Sequence, residues 1–359
     1  MHSNQPSSQY LKPSTFLDFA QIIYEKMGVP SDHALLAADT LVQADLWGHQ
    51  SHGMLRLPWY LARLKSGAMK AQTQTKLIKD AKGIALLDGC HGVGQVIAQT
   101  AVNEAIARGK NHGIGVISVR NSNHFGTCMY FTRMCAKQGM IAILMSNAGP
   151  TMAPWGGMKK KIGTNPISIA VPGGIHGPVV MDMANSGVAR GKIYLAEKQG
   201  KEIPLGWALD SDGHATTNPR KAIEGLILPM AGHKGYVLGV MIDILSGVLS
   251  GSGFLEQVHG PYDPNNLSNA GHFLVAMDVS NFQPLTDFEK LIDQYIKSLK
   301  DVPLAHGHKQ VFFPGELENN LDQLHRKEGL LLAKETLKGL CDIANEFNLK
   351  DYAEIFSTT

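Results

Sequence analysis

The sequence predicts an α/β fold built on a mixed sheet, and three observations predict it. Short apolar runs alternate with longer segments of helical spacing. IALLD (84–88), GIGVISV (113–119) and MIAILMS (140–146) are separated by helical patterns at 94–110 and 126–138. Residues 163–183 break that alternation and read as two strands paired around Pro172-Gly173-Gly174, which mixes the sheet. Both chain ends are helical with one apolar face. They can pack together as a helical domain made of residues 1–75 and 285–359, beside an α/β domain at 76–284.

Taken in order, Phe16, Phe19, Ile22, Ile23 and Met27, then Ala34 to Leu41, recur at the spacing of one buried stripe. Pro30-Ser31-Asp32 divides this stretch into two helices, with Ser31 or Asp32 as N-cap. A third helix starts near Met54 and ends around Gly67. Beyond the paired strands, 234–250 is helical, LVAMDV (274–279) is a strand and 285–300 is an amphipathic helix. Residues 316–356 are mostly helical and charged on one face, and the chain contains no internal repeat.

Composition excludes several function classes. With 359 residues, 44% apolar and 18% charged, the chain has ample core material and no signature of disorder. Net charge is +2 and the longest basic run is Lys159-Lys160-Lys161, too little for a nucleic-acid platform. No run approaches the ~18 apolar residues of a membrane span. The start, MHSNQPSSQYLKPSTF, is polar and lacks an apolar leader, so a cytoplasmic protein is expected. Cys90, Cys128, Cys135 and Cys341 form no C-x-x-C pair and read as free thiols. No H-E-x-x-H exists, His306 and His308 read as loop residues, and no metal is expected.

Standard nucleotide motifs are missing too. Gly89-Cys90-His91-Gly92-Val93-Gly94 lies between a strand and a helix, but Ile97 stands where a dinucleotide fingerprint needs its last glycine. A plain turn explains it better. No G-x-x-x-x-G-K-[ST] and no G-x-S-x-G occur.

Chemistry is concentrated in LWGHQSHGMLRLPWY (46–60). A helix N-terminus capped by Ser51 would account for part of it. The alternative uses each group: His52 can exchange a proton near neutrality, and Arg56 can hold a carboxylate through two parallel hydrogen bonds. Arg56 follows His52 by four residues and Tyr60 by four more, so all three can face one space. Asn121-Ser122-Asn123-His124-Phe125-Gly126 joins a strand to a helix, where ligands gather in α/β folds. Ala153-Pro154-Trp155-Gly156-Gly157 and Ile162-Gly163-Thr164-Asn165-Pro166 are turn-rich loops that could present N–H groups to an anion. Asp182-Met183-Ala184-Asn185-Ser186 follows an apolar strand, and Gly232-His233-Lys234-Gly235-Tyr236 opens a helix with a lysine suited to an anion. Asp182 could instead orient an imidazole.

GHQSHGMLRLPWY, NSNHFG, APWGG, IGTNPIS, VMDMANS, IPLGWALDSDG and LPMAGHKGY occur in this order over about residues 15–330. On these motifs the sequence resembles the type-2 malate/L-lactate dehydrogenase family, which includes ureidoglycolate, sulfolactate and diketogulonate enzymes and cyclic imine reductases. The resemblance implies a non-Rossmann α/β fold that binds NAD(H) or NADP(H), homodimers with sites near the interface, and interconversion of a 2-oxo and a 2-hydroxy acid. Reduction of a cyclic ketimine carboxylate is the alternative, and a silent nucleotide-binding protein is a remote one. The match puts the family's catalytic histidine on His52 and a second acid/base histidine on His124. Ser51, Arg56 and Tyr60 fall on substrate positions. Thr164, Asn165, Asp182, Met183, Ala184, Lys234, Gly235, Gly315 and Glu316 fall on cofactor positions. NAD(H) is the favoured cofactor, with NADP(H) left open; Lys159–Lys161 reads as a solvated hairpin.

Overall fold

The computed structural model describes residues 10–358. Two helices open the chain, α1 (Pro13–Lys26) and α2 (Ser31–Leu46). Pro13 begins α1, where its missing N–H has no helical partner to lose. Ser31 is the first residue of α2 and does not cap it; Pro30 holds the cap position, and Ser31 Oγ donates to Glu25 Oε1 at 2.6 Å instead. The expected N-cap is therefore corrected: the proline already fixes the entry geometry, and the hydroxyl is spent tying α2 to α1. Two single 3₁₀ turns, Gln50–His52 and Met54–Arg56, precede α3 (Leu57–Ser66), so the helix expected from Met54 starts three residues later. Gly67 stops α3 with φ of 81°, a left-handed geometry that glycine adopts without cost.

The α/β portion follows: β1 (Lys76–Ala81), β2 (Ile84–Asp88), α4 (Gly94–His112), β3 (Ile114–Ser122), α5 (Cys128–Ala136), β4 (Met140–Ser146), β5 (Ile167–Val171) and β6 (Val179–Met183). Next come α6 (Arg190–Lys198), β7 (Ala208–Leu209), α7 (Pro219–Glu224) and β8 (Leu226–Ile227), a small lobe around Val188, Ile193, Ile203 and Ile227 for which the sequence suggested no element. Then α8 (His233–Asp243) runs into a π-helical turn, Ile244–Val248, and β9 (Ala270–Asp278) completes the sheet. The chain ends in α9 (Leu285–Lys300), α10 (Glu316–Glu328), α11 (Lys334–Glu346) and α12 (Lys350–Thr358).

The main sheet is mixed, seven-stranded and ordered β1-β2-β3-β9-β4-β5-β6. Only β2 and β3 pair in parallel; the other five pairings are antiparallel. β9 arrives late in the chain and inserts between β3 and β4. Because both flanking strands run antiparallel to β9, they run parallel to each other. The ends of β2, β3, β4 and β6 and the starts of β5 and β9 therefore share one edge of the sheet. The motif loops 121–126, 162–166 and 182–186 all leave from that edge.

Two apolar cores support it. Ile97, Ala101 and Ala105 of α4 and Phe131 of α5 pack with Ile117, Leu144 and Leu274 of the sheet. The second core unites the chain ends: Phe16, Phe19, Leu41, Leu57 and Tyr60 with Leu337, Leu340 and Phe356, including a Phe16–Phe356 stack at 5.8 Å. α9 lies elsewhere, where its Asp293 accepts the Ile175 N–H from the β5–β6 turn at 3.1 Å.

Helix α4 approaches the sheet closely at Gly115 of β3. A Cβ there would lie 2.1 Å from the Ala105 carbonyl oxygen, an irreducible backbone clash. Gly115→Ala is thus expected to destabilise the fold by about 1–3 kcal/mol, the usual scale for overpacking, read as a lower denaturant midpoint at unchanged far-UV signal.

Candidate active site

The stretch 46–60 is shaped by one buried carboxylate. Asp45, at the end of α2, accepts the Met54 N–H at 2.8 Å and folds the intervening 3₁₀ turns back over the helix. Gly53 lies so close that a Cβ would sit 2.0 Å from Asp45 Oδ1. Burial raises the Asp45 carboxyl to about 8, against the opposing pull of the Met54 hydrogen bond.

This fold-back brings the sequence-predicted catalytic and substrate residues together. Tyr60 Oη lies 2.5 Å from His124 Nδ1, although 64 residues separate them. The His52 and His124 rings stack at 5.6 Å between centroids and 20° between planes. Ser51 Oγ lies 2.9 Å from His52 Nδ1. Arg56 donates from Nε to the Ser51 carbonyl at 2.5 Å and lies over the Trp59 ring at 4.3 Å. Among the described residues no acceptor takes its two terminal nitrogens. A guanidinium held at one end with its fork open suits a planar carboxylate.

Protonation follows from this packing. Burial pulls His52 down to about 3, helped by the nearby charges of Arg56 and His49. His124 is lowered well below the ordinary imidazole value, first by burial and then by Arg56 and His52. Both rings are thus neutral at pH 7. The Gly126 N–H also points at His124 Nδ1, at 3.3 Å. A backbone N–H only donates, so Nδ1 is an acceptor and the ring carries its proton on Nε2. His52 has no such constraint, because its partner is a hydroxyl that donates or accepts.

The predicted cofactor residues cluster around the end of β6. Thr164 accepts the Asn185 N–H at 2.8 Å through its carbonyl. Asn165, fully buried, spends its side chain on the Ala148 N–H (2.9 Å) and the Gly239 carbonyl (2.8 Å), and its own carbonyl accepts from Asn185 Nδ2 at 2.5 Å. Met183 ends β6 and Ala184 follows, exposed. Lys234 is exposed in the first turn of α8, while Gly235 is buried so tightly that a Cβ would meet the Met230 carbonyl at 2.5 Å. Asp182 makes no hydrogen bond to either stacked imidazole. Its carboxylate accepts the Met129 N–H at 2.7 Å, capping α5 just beyond His124, and burial raises it to about 6. The idea that it orients a catalytic imidazole is therefore corrected.

Gly315, with φ of 91°, precedes α10, and its neighbour Pro314 accepts the Val180 N–H of β6 at 2.9 Å. Glu316 pairs with Lys300 and accepts the Phe313 N–H at 3.1 Å. It also lines a cavity of about 610 Å³ with Trp47, Tyr130, Arg133 and Arg326. That cavity includes none of His52, Arg56 or His124, so Glu316 stands apart from the imidazole cluster.

A family model described as malate/L-lactate dehydrogenase matches residues 11–341. The chain belongs to that family. It is 38% identical over 328 residues to a malate/(S)-sulfolactate dehydrogenase of Methanothermus fervidus, covering 91% of this chain and 95% of the other. It is 33% identical over 314 residues to a ureidoglycolate dehydrogenase (NAD(+)) of Escherichia coli O157:H7, covering 86% and 89%. The solved sulfolactate dehydrogenase from Methanocaldococcus jannaschii matches with a TM-score of 0.91 and 36% identity, over 96% of this chain and 100% of that one.

Two buried groups behind this family member's site were not anticipated. His272 lies 2.7 Å from Ser122 Oγ and 2.9 Å from Ser146 Oγ, with Phe125 against it at 4.7 Å, and burial lowers it to about 3. It alternates with Leu274 and Ala276 along β9, a period-2 signal visible once the strand is begun at Ala270. Arg63 is 1% exposed and bonded to Asn123. In the sequence it looks like any charged helical position.

Asp45 carries a pH prediction. Its unfolded carboxyl ionises near the ordinary value of 3.8 and its folded one near 8, so stability falls as pH rises between them. Asp45→Asn, which keeps an acceptor for Met54, is expected to gain on wild type by about 1 kcal/mol or more between pH 5 and pH 8, read from denaturant midpoints at the two pH values.

Proposed function

We propose that this protein is an NAD(P)-dependent oxidoreductase that interconverts a small 2-hydroxy acid and its 2-oxo acid by hydride transfer. The observation that carries the reading is the convergence of His52, His124, Tyr60 and the open fork of Arg56 at the edge where the motif loops leave the sheet. The family assignment supports the same chemistry.

Arg56 would hold the substrate carboxylate through its terminal nitrogens, fixing the reacting carbon beneath the two rings. His124 would donate a hydrogen bond from Nε2 to the carbonyl or hydroxyl oxygen, with Tyr60 holding its ring. His52 would carry the net proton, giving it in reduction and taking it in oxidation, because its tautomer is free to change. Burial, and then the Arg56 charge, depresses both rings; a bound carboxylate would offset the second of these and move the imidazole pKa upward.

The residues at the end of β6 suit a dinucleotide. Asn185 Oδ1 is buried and unpartnered among the described residues, an acceptor fit for an amide or ribose donor, and Lys234 offers a cation at a helix start. When bound, the nicotinamide supplies or accepts the hydride. We infer NAD(H) over NADP(H): Lys161 is paired with Glu256, which removes one charge of the basic run from phosphate recognition. A non-Rossmann fold is supported by the five antiparallel pairings, and a helical domain built from both chain ends by their shared core. A homodimer is supported by Val237, Met241, Ile244 and Val248, exposed at helical spacing along α8 and its π turn. A cytoplasmic setting accords with four free cysteines; no helix among the described residues is long and apolar enough to cross a membrane.

Malate, lactate, ureidoglycolate and sulfolactate, assayed at 340 nm with both cofactors and beside pyrroline- and piperideine-2-carboxylate, test the reading. Turnover of a 2-hydroxy or 2-oxo acid is expected, and turnover of cyclic imines alone would replace it. His52→Ala and His124→Ala should each lower kcat roughly 10²- to 10⁴-fold, with NADH affinity within about twofold of wild type. Arg56→Gln should show its loss chiefly in kcat/KM for the acid.

A further inference from the structure

We propose that Arg63 is a positioning residue for this reaction, pinning His124 and the outer wall of the acid site to one helix. The inference rests on the hydroxy-acid reading above. Arg63 lies in α3, seven residues after Arg56 and three after Tyr60, and is 1% exposed. Its guanidinium reaches two separate pieces of chain. One terminal nitrogen donates to Asn123 Oδ1 and to the Asn266 carbonyl, each at 3.1 Å. The other donates to the carbonyls of Gly260, at 3.4 Å, and Asp263.

Every one of these acceptors is a neutral oxygen. Among the described residues no carboxylate forms an ion pair with Arg63. The Asp263 carboxylate is taken up by Asn265 N (3.0 Å), Asn266 Nδ2 (2.9 Å) and His259 Nδ1 (3.1 Å). Burial lowers the Arg63 pKa and the nearby Asp263 carboxylate offsets only part of that, so an apolar side chain would serve packing better. What the guanidinium provides is a rigid planar fork that fixes several acceptors in one plane.

The two pieces it fixes flank the reacting centre. Asn123 is itself 1% exposed, donates to the Gly92 carbonyl at 2.8 Å, and immediately precedes His124. The 260–266 loop carries Tyr262, whose ring meets Trp59 edge-on at 6.2 Å, and Trp59 carries Arg56. Arg63 thus sets the distance between the His124 backbone and the Trp59–Arg56 wall. Misplacing either by an ångström weakens a geometry on which hydride transfer depends steeply.

The test compares Arg63→Lys, which keeps the charge and loses the fork, with Asn123→Ala, which cuts the link from Arg63 towards His124 together with the Asn123–Gly92 bond and leaves the 260–266 loop on Arg63. Wild type runs beside them on the same acid panel, and kcat is expressed per NADH-binding site titrated by fluorescence. Each variant should lower kcat about tenfold or more with the NADH dissociation constant within about twofold. The double variant should fall no further than the worse single one. A merely structural role would lower the melting temperature and the number of NADH sites while leaving kcat per site unchanged, and that result overturns the proposal. If Arg63→Lys does not fold, Asn123→Ala decides alone: kcat within twofold of wild type overturns it. Absence of wild-type turnover would instead overturn the hydroxy-acid reading, so the two failures are distinct.

Discussion

The hydrogen bond between Tyr60 and His124 joins two parts of the chain that pack on separate apolar cores. Tyr60 belongs to the core formed by both chain ends, while His124 hangs from the end of β3, and Phe125 beside it is buried against α5 and the sheet. Neither core alone holds Arg56 near the His124 imidazole. The hydroxyl also decides protonation: by donating to Nδ1, together with Gly126, it leaves the His124 proton on the nitrogen that is free to meet a ligand. Geometry and chemical state are thus set by one contact, and the surrounding architecture exists to bring its two ends together.

Strand direction supplies the other half of that meeting. In a sheet with five antiparallel pairings, loops would ordinarily leave from both edges in turn. The insertion of β9 between β3 and β4 makes those two strands parallel, and the βα unit of β2, α4 and β3 adds a third in the same sense. Their ends, the start of β5 and the end of β6 then share an edge. Segments that are 60 residues apart in sequence, 121–126 and 182–186, become neighbours, and Asp182 caps α5 one turn beyond His124.

Much of this was legible because it is written in periodicity. β2, β3 and β4 are short apolar runs, β5 and β6 flank a Pro-Gly-Gly turn, and the terminal helices show a continuous buried stripe. The segments that were not legible lack such a signal. β1 is exposed at all six positions and carries a bulge between Leu77 and Lys79, so no alternation marks it. The small lobe at 188–227 uses two-residue strands and helices of nine and six residues, and in the longer helix only Ile193 is buried, so no period can be read. At the site, His52, Arg56 and Tyr60 announce themselves by type and spacing. Arg63 and His272 do not, because their roles come from partners 60 to 203 residues away.

On the proposed reading, the electrostatics of the cluster would couple binding to proton transfer. The site holds one open cation and two half-buried imidazoles that their desolvated surroundings, and then the cation, keep neutral. A stray proton is therefore unwelcome before substrate arrives. On the proposed reading, a carboxylate held by Arg56 would offset the second of these causes, so a histidine would accept a proton more cheaply with an acid already in place. Such coupling would favour anionic substrates over neutral ketones of the same shape, which would leave the guanidinium unpaired and the rings neutral. Selection for the acid would then be exerted twice, once in holding it and once in readying the proton, and both would rest on the same guanidinium.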